Sequence, residues 1–117
     1  MKKLLSLFVS CLLVGCASST YIVKNCINEE NSTSFRSSYS SFIGTRSYKI
    51  SLIEDKEVKV NITTSKGTLS VKVYDSSTSF YEGNIDSDFS FTLNLNKGNY
   101  KAKLSTKEHS GSYSFSW

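Results

Sequence analysis

From Tyr48 to Trp117 the chain alternates apolar and polar residues with a period of two. Tyr48, Ile50 and Leu52 alternate with Lys49 and Ser51, and Val58, Val60 and Ile62 with Lys59, Asn61 and Thr63. Leu69, Val71 and Val73 alternate with Ser70 and Lys72, and Phe89, Phe91, Leu93 and Leu95 with Ser90, Thr92 and Asn94. Tyr100, Ala102 and Leu104 alternate with Lys101 and Lys103, and Tyr113, Phe115 and Trp117 with Ser114 and Ser116. Successive side chains of a strand point to opposite faces, so each stretch reads as a strand with one buried face and one wet face. These are six strands, and a seventh, less regular one is predicted around Phe35 to Phe42. Ser65-Lys66-Gly67 and Asn96-Lys97-Gly98 separate neighbouring strands with hairpin-turn chemistry. No segment keeps a helical spacing, and the absence of proline leaves the strands uninterrupted. One-sided antiparallel strands bury their apolar faces by packing two sheets together. The pattern predicts an all-β fold, a small antiparallel β-sandwich of about seven strands over residues 34–117.

The N-terminus obeys a different rule. Met1-Lys2-Lys3 precedes an apolar run from Leu4 to Val14. As a helix that run would span about 16 Å, against about 30 Å of bilayer hydrocarbon. It is too short to cross and fits a cleaved signal peptide. Leu13-Val14-Gly15-Cys16 resembles the lipobox of bacterial lipoproteins. The resemblance implies cleavage between Gly15 and Cys16, diacylglyceryl attachment to Cys16, a membrane as partner, and a position on the cell membrane or outer membrane facing away from the cytoplasm. The expected organisation is a signal peptide over 1–15, a lipidated cysteine with a flexible tether over 16–33, and the β-sandwich over 34–117. Such a tether would reach a few tens of ångströms. Cleavage removes Cys11 and acylation occupies Cys16, so no intrachain disulfide is expected after processing; Cys26 is left as an incidental thiol or as half of an intermolecular disulfide. It also removes Lys2 and Lys3, leaving 12 basic against 10 acidic residues. That balance is too mild for nucleic acid, which calls for a concentrated basic face.

Gly67 to Asp75, Lys97-Gly98-Asn99-Tyr100 and Gly111 to Phe115 are similar to segments of bacterial pre-peptidase C-terminal-like β-sandwich modules. The likeness covers roughly residues 45–117. It implies a jelly-roll-like accessory fold without catalytic residues of its own.

Little else in the sequence carries chemistry. The gap from Asp75 to Asp88 reads as a long acidic loop. Asp75, Asp86 and Asp88 are its candidate calcium ligands, because calcium takes oxygens at alternate positions; a solvated loop with no metal is the simpler reading. Phe80 and Tyr81 in the same gap are the candidate ligand-binding residues, by stacking on a sugar or anchoring a protein. They also suit a plug at one end of the sandwich. His109 reads as a solvated turn residue and supports no catalytic pair. Lys49, Lys59, Lys72, Lys101 and Lys103 project from wet faces, where they aid solubility or form a basic patch toward anionic lipid or polymer. Asn31-Ser32-Thr33 and Asn61-Ile62-Thr63 match glycosylation acceptors by chance behind a bacterial signal. The chain is expected to be a non-enzymatic, cofactor-free envelope lipoprotein that serves as a surface binding or structural module. The alternatives are a carbohydrate- or protein-binding adhesion module and an inhibitor or immunity lipoprotein.

Overall fold

The structure, a computed structural model, describes residues 20–117. Eight strands run in order: β1 (Thr20–Lys24), β2 (Ile27–Asn31), β3 (Ser34–Leu52), β4 (Lys56–Gly67), β5 (Leu69–Tyr74), β6 (Ser79–Ile85), β7 (Phe89–Leu95) and β8 (Gly98–Ser116). All pairings are antiparallel. The architecture is all-β, as the alternation predicts.

Two strands of 19 residues, β3 and β8, pair along their whole length, from Ser34 opposite Ser116 to Leu52 opposite Gly98. Hydrogen bonds join every strand into one sheet, but that sheet folds over on itself. Phe35 and Tyr48 lie on the same strand, where a straight run would hold them about 43 Å apart. Their rings stack with centroids 3.9 Å apart. The two halves of the β3/β8 ribbon therefore face each other. The first half carries β2, β4 and β7, and the second carries β1, β5 and β6. This is a β-sandwich in which the ribbon passes from one sheet into the other.

The bend has a local cause. The register slips between Tyr39 and Phe42 and again between Phe42 and Gly44. The first slip places an extra residue on β3 and the second an extra residue on β8, so the pairing returns to its starting register. Bulges of this kind bend a ribbon and change which residues face inward. On β3 the buried positions shift from Phe35, Ser37 and Tyr39 to Phe42, Arg46, Tyr48, Ile50 and Leu52. On β8 they shift from Tyr100, Ala102 and Leu104 to His109, Tyr113 and Phe115. Gly44 and Gly111 at the bend have φ of 114° and 147°, values that side chains with a Cβ rarely adopt.

Residues 20–31, expected to belong to the tether, are two short strands paired to β3. Asn25, at φ 52°, turns the chain between them. The stretch expected as a loop between Asp75 and Asp88 is mostly β6, an edge strand paired with β5. The seventh, irregular strand is the first half of β3. Cys26, expected to form no intrachain disulfide, is disulfide-bonded. That expectation counted Cys11 and Cys16 as already spent, whereas the unprocessed chain still holds both sulfurs. Gly15 and Cys16 lie outside the described residues.

The core is formed by the predicted inward residues of β3, β4, β5 and β8 with Leu95 of β7, joined by Phe35, Tyr39, Phe42 and Ile85. Phe89, expected inside, is 46% exposed because β7 is an edge strand with nothing beyond it. A Cβ added at Gly111 would run into the Thr63 carbonyl on β4. Gly111→Ala should therefore cost about 2–3 kcal/mol, or about 10 °C or more in Tm for a domain of this size. Calorimetry beside Ser114→Ala, on the wet face of the same strand, tests this. A Gly111→Ala protein melting as wild type does would remove the bend from the account.

Candidate functional site

Polar side chains are concentrated in two kinds of place, one sealed in the sandwich and the other spread over its outer faces. Inside, the Tyr48 and Tyr113 hydroxyls lie 2.6 Å apart, and the Tyr48 hydroxyl also donates to Asn28 Oδ1 at 3.2 Å. Arg46 is 3% exposed, and its guanidinium lies 4.6 Å from the Tyr21 ring centroid and 5.2 Å from that of Tyr48. A buried cation is tolerable when ring faces and hydroxyl oxygens replace its water. Burial pushes the Tyr39 and Tyr113 hydroxyls well above the ordinary phenol range, although the nearby Arg46 charge acts the other way.

His109 belongs to this interior, which corrects its reading as a solvated turn residue. It has no exposed surface, and it lies on β8 at the bend. Nδ1 is hydrogen-bonded to the Tyr39 hydroxyl at 2.7 Å and Nε2 to Thr64 Oγ1 at 2.9 Å. The Glu-His-Ser-Gly sequence resembles a turn, but here it spans the bulged stretch of a continuous strand. A sealed imidazole reaches no substrate.

The other expected site residues are dispersed. Asp75 Oδ1 accepts hydrogen bonds from the backbone N–H groups of Ser77 and Thr78, at 2.9 and 2.8 Å, within the β5–β6 turn. These bonds lower its carboxyl below the usual range. Asp88 Oδ1 accepts from the Thr64 N–H at 2.9 Å. Asp86 and Asp88 follow β6 at the opposite end of that hairpin, about 23 Å along the strand from Asp75. The three do not converge, and among the described residues no group of three or more His, Cys, Asp and Glu is placed to hold a metal.

Phe80 and Tyr81 do not form a shared platform. Tyr81 stacks on Phe91 of the opposite edge strand, with centroids 4.2 Å apart, and Phe91 meets Phe89 at 5.5 Å. These rings form a seam that closes the gap between the edge strands β6 and β7. Phe80 sits at a register slip, 41% exposed, with its ring edge-on to Tyr100 at 5.3 Å. It covers one end of the core.

The lysines are the feature that the register assembles. Lys49 on β3 pairs with Lys101 on β8, and Lys101 also pairs with Tyr74 on β5. In the next row Lys103 on β8 pairs with Lys72 on β5, and Lys72 with Glu82 on β6. Four lysines therefore stand on the outer face of the second sheet at directly opposed positions, where like charges destabilise a sheet. Lys72 Nζ is 4.0 Å from Glu82, an exposed pair of little energetic weight. Among the described residues no carboxylate stands within ion-pair distance of Lys49, Lys101 or Lys103. A cleft of about 590 Å³ opens beside Lys49, Lys101, Tyr74, Asp75 and Asn99. Lys59 is excluded from this group, since its row on the first sheet holds Ser116 and Thr92. That sheet's outer face is mostly Ser, Thr and Asn, and its Arg36 is paired to Glu29 at 2.7 Å.

No family model matches this chain, and no curated protein matches it. Several solved structures are similar. A family 35 carbohydrate-binding module from Clostridium thermocellum is 13% identical, over 83% of this chain and 92% of that one, with a TM-score of 0.43. A carbohydrate-binding module from Cellvibrio mixtus lichenase 5A is 11% identical, over 86% and 84%, with a TM-score of 0.40. A ruminal GH26 endo-β-1,4-mannanase is 17% identical over 62% of this chain, which spans 17% of that chain's length, with a TM-score of 0.43. Likeness at this level carries no argument about what the chain binds.

The sealed imidazole has a measurable consequence. Burial lowers the His109 pKa below its ordinary 6.5. The unfolded chain therefore takes up a proton as pH falls through about 6.5, while the folded chain does so only at lower pH, and stability is lost as pH falls between the two. Tm should fall on acidification from pH 7.5 to 5.5, and less steeply in His109→Gln. Parallel slopes in the two proteins would assign the loss to other groups.

Proposed function

We propose that this chain is a non-catalytic surface module of the bacterial cell envelope, held on a bilayer by acyl chains on Cys16. The observation that carries the reading is how near the sheet comes to the lipobox-like motif. Thr20, four residues after the cysteine of that motif, is already paired in β1. Four residues span at most about 14 Å, so an acylated Cys16 holds the sandwich close against the lipid, where the sequence alone had allowed a long tether. Two acyl chains suffice for stable anchoring without further help from the polypeptide. The one imidazole is sealed in the core, and the chemistry on display is that of broad faces and not of a reaction site. Such a protein acts by binding or shielding at the membrane surface.

One observation favours a second reading, a carbohydrate- or protein-binding adhesion module. Phe89 leaves nearly half its surface exposed beside the Tyr81–Phe91 stack. Aromatic faces at such a seam suit sugar rings or an apolar side chain of a partner.

Mass spectrometry of the first peptide of the protein isolated from membranes should give Cys16 with its acyl groups at the N-terminus. Cys16→Ala should abolish that mass and move cleaved protein to the soluble fraction. A first peptide that starts elsewhere or carries no lipid would overturn the reading.

A further inference from the structure

We infer that the lysine face of the second sheet is the surface that docks on the bilayer, with an anionic lipid headgroup layer as its partner. The inference rests on the anchoring proposed above and adds the orientation and the lipid chemistry. Two independent observations meet on this face. The first is charge. Lys49, Lys72, Lys101 and Lys103 face outward with Glu82 as the opposing charge in their rows, a balance of three positive charges. Asp75 also lines the cleft beside Lys49 and Lys101, which leaves two net positive charges. In the rows of the first sheet, Arg36 stands opposite Glu29 and Lys59 lies one outward position from Glu57, so its charges cancel in pairs. At about fivefold per charge near an anionic surface, the two net charges favour this orientation over the opposite one by about 25-fold.

The second observation is the position of the anchor. Thr20 pairs with Thr45 on β3, in the second sheet. Thr45 is two residues from Ser47, whose row holds Lys103 and Lys72, and four from Lys49. Thr20 therefore lies at the margin of the lysine face, and a cysteine four residues before it is within about 14 Å of that margin. Ile22 and Ile43 pair on this same margin and are 61% and 40% exposed. An apolar pair beside the lipid attachment, followed by two rows of lysines, is the combination that lies flat at a headgroup boundary. With this face down, the Tyr81–Phe91–Phe89 seam and the Ser/Thr/Asn face remain open to the outside.

The native lysines report the orientation. The full lipidated protein is reconstituted into vesicles of phosphatidylcholine alone or with 30 mol% phosphatidylglycerol. It is then labelled briefly with a water-soluble amine-reactive ester and mapped by mass spectrometry. Labelling of Lys49, Lys72, Lys101 and Lys103 should fall at least threefold in the anionic vesicles and recover in 0.5 M NaCl, with Lys59 unchanged throughout. Equal labelling of the two faces, or protection of Lys59 instead, would overturn the inference. Protection by soluble polyphosphate and not by the anionic vesicles would also overturn it, in favour of a polymer ligand. The mass of the first peptide from the same sample is read separately. Acylated protein without protection leaves the anchor standing and removes the docking face, whereas unacylated protein removes the anchor itself.

Discussion

The folding of the β3/β8 ribbon over itself is the constraint on which the rest of the molecule depends. Two compensating bulges bend the ribbon and then restore its register, so each long strand serves in both sheets. Without the bend Phe35 and Tyr48 would lie at opposite ends of a flat sheet and not stacked in one core. The remaining strands attach to whichever half of the ribbon is nearest. β4 and β5 pair with different halves of β8, which places their valines on facing inner surfaces. Gly111 permits β8 and β4 to approach closely at the bend. Gly67 and Gly98 sit at strand ends beside turns, and Gly44 and Gly111 shape the hinge of the sandwich.

The bend also explains the polar interior. A bulge leaves backbone and side chains that no regular ladder or apolar packing can satisfy, and His109 links Tyr39 to Thr64 across it. A few residues away, Tyr48, Tyr113 and Arg46 form a second polar cluster between the sheets. An unsatisfied buried polar group costs about 1–3 kcal/mol, so these groups stabilise the fold only as a set. They favour one register of the ribbon over its neighbours. A slip of one residue would turn Tyr48 to solvent and Lys49 into the core.

The two outer faces carry the division of labour proposed for the surface. One is almost neutral, with hydroxyl and amide groups bonded to one another, as Thr63 is to Ser112 and Ser90 to Asn61. The other sets lysine opposite lysine in two adjacent rows. Packing does not require that arrangement, since any small polar residue would suit those positions. Electrostatic repulsion within the folded protein opposes it, a cost that the proposed contact with an anionic lipid surface would offset.

The alternation of Val58 to Ile62, Leu69 to Val73 and Tyr100 to Leu104 was legible in full, because one side of each strand meets water and the other does not. β1 and β2 were not legible, since five residues with Glu29 and Glu30 among them show no usable period. β6 was hidden by Phe80 at a register slip and by Gly83, and the rephasing of β3 disguised Phe35, Tyr39 and Phe42 as irregular. The sequence by itself determined that this is an all-β chain and which side of most strands is buried, because side-chain direction follows local backbone geometry. Only the tertiary structure decided that Lys49, Lys72, Lys101 and Lys103 share a face from which Lys59 is excluded, and that His109 is sealed. Both facts depend on which strands become neighbours and in what register, and those are set by long-range pairing across the folded ribbon.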